Sequence, residues 1–238
     1  MALILNIETS TTVCSVALAQ NGIVISKREN HDEKSHAKTL TIYIDEVLKE
    51  AKVSFNQLDA IAVSKGPGSY TGLRIGVSVG KGLCYALNKP LIAVNTLQLM
   101  CLGLINKVNS GEVAIENFSS SYLLPMIDAR RMEVYTALYS SDRKVIKDVS
   151  AEILTAESYK EILDVNRIVC FGNGAFKASE LIKHPNFKYI ADIYTQAQYM
   201  AEISEEFYLM KKFEDVAYFE PFYLKDFVAT IPKKNIFN

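Results

Sequence analysis

Six of the eleven glycines in this 238-residue chain fall between Gly66 and Gly82. The segment Ser64-Lys65-Gly66-Pro67-Gly68-Ser69-Tyr70-Thr71-Gly72-Leu73-Arg74-Ile75-Gly76 follows an apolar run and opens a helical one. At such a junction, free backbone N–H groups at a helix start can hold an anion such as phosphate. Gly66 and Gly68 permit positive φ around the rigid Pro67, and Ser69 or Thr71 can cap the helix. The spacing is not a Walker A loop, because Leu73-Arg74 stand where Lys-Ser/Thr should follow the glycine. It is not a dinucleotide fingerprint either, since Gly66, Gly68 and Gly72 give GxGxxxG and no acid follows ~20 residues on. Loop geometry alone favours a ligand-free turn over a phosphate cradle. Glu8, Ser10, Gly66 and Gly68 are the residues a cofactor would meet, and no cofactor is assigned.

A second glycine pattern lies inside the helix. Gly72, Gly76 and Gly80 recur every four residues, beside a row of Ser78, Gly82 and Ala86. Each mid-helix glycine costs ~1 kcal/mol relative to alanine, so something must come close to this helix. That neighbour is either its own sheet or a helix of a second subunit, and the spacing leaves both open.

Other chemistry is sparse. His31 and His36 are five residues apart, with Asp32 and Glu33 between them, so they do not share a helical face as i, i+4 metal ligands would. They and His184 read as solvated surface residues. Cys14, Cys84, Cys101 and Cys170 fit neither a zinc knuckle nor a CxxC pair and read as buried, reduced thiols. No nucleophile elbow is present. No catalytic constellation emerges.

The elements that position these residues follow from periodicity. Strands are predicted over 3–8, 13–19 and 23–27, joined as an antiparallel meander through Asn21-Gly22. Helical spacing runs over 35–51, a strand over 59–64, a helix over 71–87, a strand over 91–94 and a helix from 96 to about 105. Residues 107–121, centred on Asn109-Ser110-Gly111, are the best linker. Beyond it come strands over 122–128, 133–139 and 143–149, a helix over 156–163, a strand over 167–171, and helices over 175–184 and 196–212. The tail 230–238 reads as frayed. Both halves thus share a β-β-β-α-β-α plan, which predicts two similar α/β domains with mixed sheets facing a cleft.

Lys+Arg 26 against Asp+Glu 27 leaves a net charge of -1, which argues against a stand-alone nucleic-acid binder. No apolar run reaches the ~18–20 residues of a membrane span, and the N-terminus lacks the basic stretch of a signal peptide.

Three segments carry a resemblance. They are Ile4-Leu5-Asn6-Ile7-Glu8-Thr9-Ser10, the GPGSYTGLRIG stretch from Gly66 to Gly76, and Asp128-Ala129-Arg130-Arg131-Met132-Glu133-Val134-Tyr135. Gly172-Asn173-Gly174-Ala175 and Pro221-Phe222-Tyr223-Leu224-Lys225 support them. Together they resemble the TsaB (YeaZ-like) family of glycoprotease-like proteins, dimerisation subunits of the bacterial tRNA N6-threonylcarbamoyladenosine machinery. The resemblance implies a two-domain actin-like (ribonuclease H-like) α/β fold, with domains 1–106 and 107–238 and helix 196–212 packing back on the first. It implies a non-catalytic subunit that works with TsaD and the ATPase TsaE to place threonylcarbamoyl on N6 of the adenosine 3′ of the anticodon. Thr96 and Met100 stand where the catalytic relative, TsaD, carries a metal-binding histidine pair, so no metal is expected. Thr11-Thr12 replace an acidic pair of the same relative.

By the same resemblance, the helices over 35–51 and 71–87 form the interface, with Gly72, Ile75, Gly76, Val79, Gly80, Leu40 and Ile44 meeting the partner. Gly76→Leu should then break TsaD binding without unfolding the chain. A homodimer of the isolated chain, tRNA contact only through the complex, no membrane association and a cytoplasmic location are also implied. The alternative is an ATP-binding actin-like ATPase or kinase-like enzyme, for which Glu8 and Asp128 would have to hold Mg²⁺. A protease reading has no nucleophile behind it.

Overall fold

The computed structural model describes residues 2–31 and 36–225. The first apolar run forms β1 (Leu3–Glu8), buried on both faces, as expected of a central strand covered by helices on each side. It pairs antiparallel with β2 (Cys14–Gln20), which pairs antiparallel with β3 (Ile23–Asn30) through the left-handed Asn21 and Gly22. Helix α1 (His36–Ala51) then crosses over, and β4 (Ala60–Gly66) adds parallel to β1. Helix α2 (Tyr70–Leu87) leads to β5 (Leu91–Asn95), and α3 (Thr96–Asn109) closes this half. The strand order is β3-β2-β1-β4-β5.

The second half repeats the plan. Strands β6 (Tyr122–Asp128), β7 (Glu133–Ser140) and β8 (Val145–Ile153) form the meander. Helix α4 (Lys160–Leu163), β9 (Ile168–Phe171), α5 (Ala175–Leu181) and β10 (Phe187–Ile190) follow. Read from its meander edge, the sheet runs β8-β7-β6-β9-β10, the same order as the first. The duplicated α/β architecture predicted from the sequence is therefore present.

Alternation along the strands sorts the core. Leu5 and Ile7 of β1 join Leu40, Ile44 and Val47 of α1 and Val77 and Cys84 of α2 on one face. Ile4 turns the other way, to Leu99 and Leu102 of α3 and to Met200 and Ile203. The opposite side of α3, through Leu97, Met100, Cys101 and Leu104, packs on Leu123, Ile127 and Phe171 of the second half. Helix α3 is apolar nearly all round because it is clamped between the two halves.

Several boundaries depart from the sequence reading. The linker begins later, because α3 continues to Asn109. The helix expected over 156–163 shrinks to Lys160–Leu163, since Tyr159 takes a left-handed φ of 64°. The helix over 175–184 stops at Leu181, and beyond Pro185 comes β10, a strand that the sequence pattern does not predict. The helix over 196–212 is a 3₁₀ turn, Ala197–Met200, continuing into α6 (Ala201–Leu209). The start of the first helix at Ser35 and the tail 230–238 lie outside the described residues. No helix among the described residues is long and apolar enough to cross a membrane.

Candidate functional site

A cleft of about 780 Å³ opens between the halves. One wall is the β1–β2 turn (Ser10, Thr11, Thr12), His36 and the first turn of α2. The other is Asp128, Ala129 and Arg130 at the end of β6, with Tyr135 and Asn173, and the segment Phe222–Lys225 crosses the mouth. A second hollow, about 800 Å³ between Val108 and Lys188, contains none of the predicted residues.

The glycine-rich loop is shaped by contact with β1. Ser69 N–H donates to Ser10 O at 2.7 Å, and Ser69 Oγ accepts from Gly72 N–H at 3.2 Å, capping α2. Thr9 Oγ1 donates to Gly72 O at 2.7 Å. A Cβ at Gly68 would strike Ser10 O, and one at Gly72 would strike Thr9 O. The second half uses the same device: a Cβ at Gly174 would come within 2.8 Å of Ile127 C at the end of β6. Gly66 and Gly68 are thus required by chain packing, and Ser10 lies beside them on the cleft wall.

Glu8 ends β1 wholly buried, on the face that Ile4 turns to α3. Its Oε1 accepts from Ser10 N–H at 2.5 Å. Burial pushes its pKa up to about 7, partly offset by hydrogen bonds from Ser10 and Ser64. Asp128 sits exposed across the cleft, bonded to Lys177 Nζ at 2.8 Å and to Arg130 N–H at 2.6 Å. The lysine also donates to the carbonyls of Arg131 and Glu133, both at 2.8 Å, which ties down the turn where Arg130 and Arg131 take left-handed φ. One acid is thus buried beneath the cleft, and the other is occupied by a cation. The sequence reading passed over Lys177, whose reach across the turn depends on the β6–β9 pairing and has no local signal.

His36 corrects an expectation. It is 7% exposed, and its Nε2 lies 2.9 Å from Thr11 O, so it anchors the start of α1 to the β1–β2 turn instead of facing solvent. In the same turn Thr11 Oγ1 meets Thr195 Oγ1 at 2.8 Å. The four cysteines are buried and unpaired; burial raises each thiol, Cys84 to about 12. Thr96 and Met100 are buried within α3, whose N-cap Asn95 accepts from Leu97 and Gln98 N–H at 2.9 and 3.1 Å. Met100 packs in the core, and its sulfur occupies the space where a Cβ at Gly172 would fall.

Five of the seven expected interface residues need correction, Gly72, Gly76, Gly80, Leu40 and Ile44 being buried, whereas Ile75 and Val79 keep partly exposed side chains on α2. Gly72, Gly76 and Gly80 face the protein's own first sheet: a Cβ at Gly76 would strike Thr9 Oγ1, and one at Gly80 would lie 2.6 Å from Val63 Cγ1. Leu40 and Ile44 are core residues, and Ile75 and Val79 are half-buried against the same core. The neighbouring row points outward instead. Ser78, Gly82 and Ala86 are exposed, and a Cβ at Gly82 would meet nothing within 4 Å.

Two equivalent β-β-β-α-β-α-β units facing a cleft define an actin-like two-domain α/β protein. A solved Pseudomonas aeruginosa protein described as similar to peptidase YeaZ has this fold, with a TM-score of 0.79 at 24% identity, covering 94% of this chain and 100% of that one. The family model described as TsaD, tRNA N6-adenosine threonylcarbamoyltransferase, matches residues 23–166. The tRNA threonylcarbamoyladenosine biosynthesis protein TsaB of Haemophilus influenzae is 28% identical over 95% of this chain and 94% of its own length. The protein of the same name from Buchnera aphidicola subsp. Baizongia pistaciae is 31% identical over 80% and 87%. The chain belongs to the TsaB (YeaZ-like) family, within the broader group that the TsaD model describes.

Proposed function

We propose that this chain is the non-catalytic, dimerising and activating subunit of a tRNA threonylcarbamoyltransferase complex. It works with TsaD, which carries the chemistry, and TsaE, and it meets tRNA only through the complex, in the cytoplasm. Its relatives, named for threonylcarbamoyladenosine biosynthesis, support the pathway.

The observation that carries the division of labour is the start of α3. Thr96 and Met100 occupy the positions at which TsaD, by the resemblance, holds its histidines, and both side chains are buried in packing. A thioether and a hydroxyl in an apolar layer offer no imidazole pair to a hard or borderline metal ion. Support for a helical partner comes from α2. Its outward row of Ser78, Gly82 and Ala86 leaves a shallow track along which another helix can approach, and the fold itself makes no use of the missing Cβ at Gly82. The same track would serve a homodimer of the isolated chain. The test is a threonylcarbamoylation assay with purified TsaD, TsaE and this chain, omitting each in turn. Activity should require all three, and turnover without this chain would overturn the assignment.

A further inference from the structure

The last described residues turn back across the cleft. Beyond α6, Glu214 N–H donates to Leu91 O at 2.9 Å, covering the free edge of β5. Asp215 Oδ1 closes a turn by accepting from Ala217 N–H at 2.8 Å. Lys81 Nζ of α2 grips that turn by donating to Ala217 O at 3.2 Å and Phe219 O at 2.8 Å. Phe222 N–H then donates to Lys65 O at 2.7 Å. At this point Gly66, with φ of 107°, lies so close that a Cβ would come 2.7 Å from Phe222 O, so a side chain here would push the segment off. The ring of Tyr223 stacks on Tyr70 at 5.0 Å, and the Arg74 guanidinium lies 4.7 Å over that same Tyr70 ring. Up to this point every anchor belongs to the first half. Among the described residues of this segment Lys225 reaches further, pairing with Glu133 of β7 in the second half.

We propose that residues 214–225 form a latch across the cleft. The stem, 214–222, is fixed to the first half by backbone hydrogen bonds at its two ends and by the Lys81 ammonium between them. The tip, Leu224 and Lys225, narrows the cleft mouth through the Lys225–Glu133 pair and widens it by letting go. The stem and tip differ in strength for a physical reason. Main-chain bonds to the edge strand β5 and to Lys65 at the end of β4 open only with the strands they join, whereas an ion pair whose lysine is 45% exposed is screened by salt. Release of the tip would widen access to the cleft that Ser10, Gly68 and the first turn of α2 line together with Leu224 and Lys225. The latch follows from contacts within this chain and does not depend on the partner assigned above.

The test is hydrogen–deuterium exchange of the full chain, read at residues 67–72 and 127–130, for the parent, Lys225→Gln, Glu133→Gln and the double variant. Each single change should speed exchange in both segments by roughly threefold or more and leave 214–217 and α6 unchanged, because only the tip is released. The double variant should exchange like either single one, since both remove the same pair. Raising salt to about 1 M should speed the parent alone. Thermal unfolding of each variant confirms that it is folded. Cleft segments that exchange at the parent rate in folded single variants would overturn the latch, and so would single effects that add in the double variant.

Discussion

At the residue scale, one buried acid and the glycines of α2 bear on stability. Glu8 is wholly buried, and its carboxyl binds a proton more tightly in the folded chain, at about 7, than at the usual 4.5. The folded state therefore holds more protons than the unfolded state between those values, and stability falls as pH rises through that window. The contribution is complete below pH 4.5 and lost above about 7, a change on the order of 3 kcal/mol at 1.36 kcal/mol per unit. Urea unfolding across pH 4.5–7.5 should show that decline in the parent and a flat profile in Glu8→Gln. A parent as flat as the variant would mean that Glu8 does not titrate in this range. Two glycines of α2 have opposite effects on stability. Gly76→Ala drives a methyl into Thr9 Oγ1 and should destabilise the chain by about 1–3 kcal/mol. Gly82→Ala enters open space and should stabilise it by up to ~1 kcal/mol in the same unfolding measurement.

At the element scale, the strands and long helices were legible because burial follows period 2 or 3.6 along them. Leu40, Ile44, Val47 and Leu48 of α1 are buried as that spacing requires. The direction of a small-residue row was not legible. Gly72, Gly76 and Gly80 form as regular a row as Ser78, Gly82 and Ala86, and periodicity alone does not say which of two adjacent rows meets the sheet. Docking of Thr9 and Val63 against the first row decides it. Short elements escaped for a different reason: Tyr159 in a left-handed conformation truncates α4, and the four-residue β10 carries too few positions for a pattern. The cleft was foreseeable from the duplicated plan. Its latch was not, because Lys225 and Glu133 lie 92 residues apart and only the folded chain brings them together.

At the scale of the whole molecule, α3 joins two equivalent halves by packing on both, and the C-terminal segment spans the cleft on their open side. A nearly neutral chain is compatible with work on tRNA when a partner supplies both the RNA contacts and the reacting groups. That arrangement makes the outward track of α2 the central claim. Its most direct test is the affinity of Gly82→Leu for TsaD, measured by calorimetric titration beside the parent, with thermal unfolding to show that the variant is folded. The expected result is a stable chain that binds TsaD at least about tenfold more weakly, a loss of ~1.4 kcal/mol. Parent-like affinity in a folded Gly82→Leu chain would contradict the account.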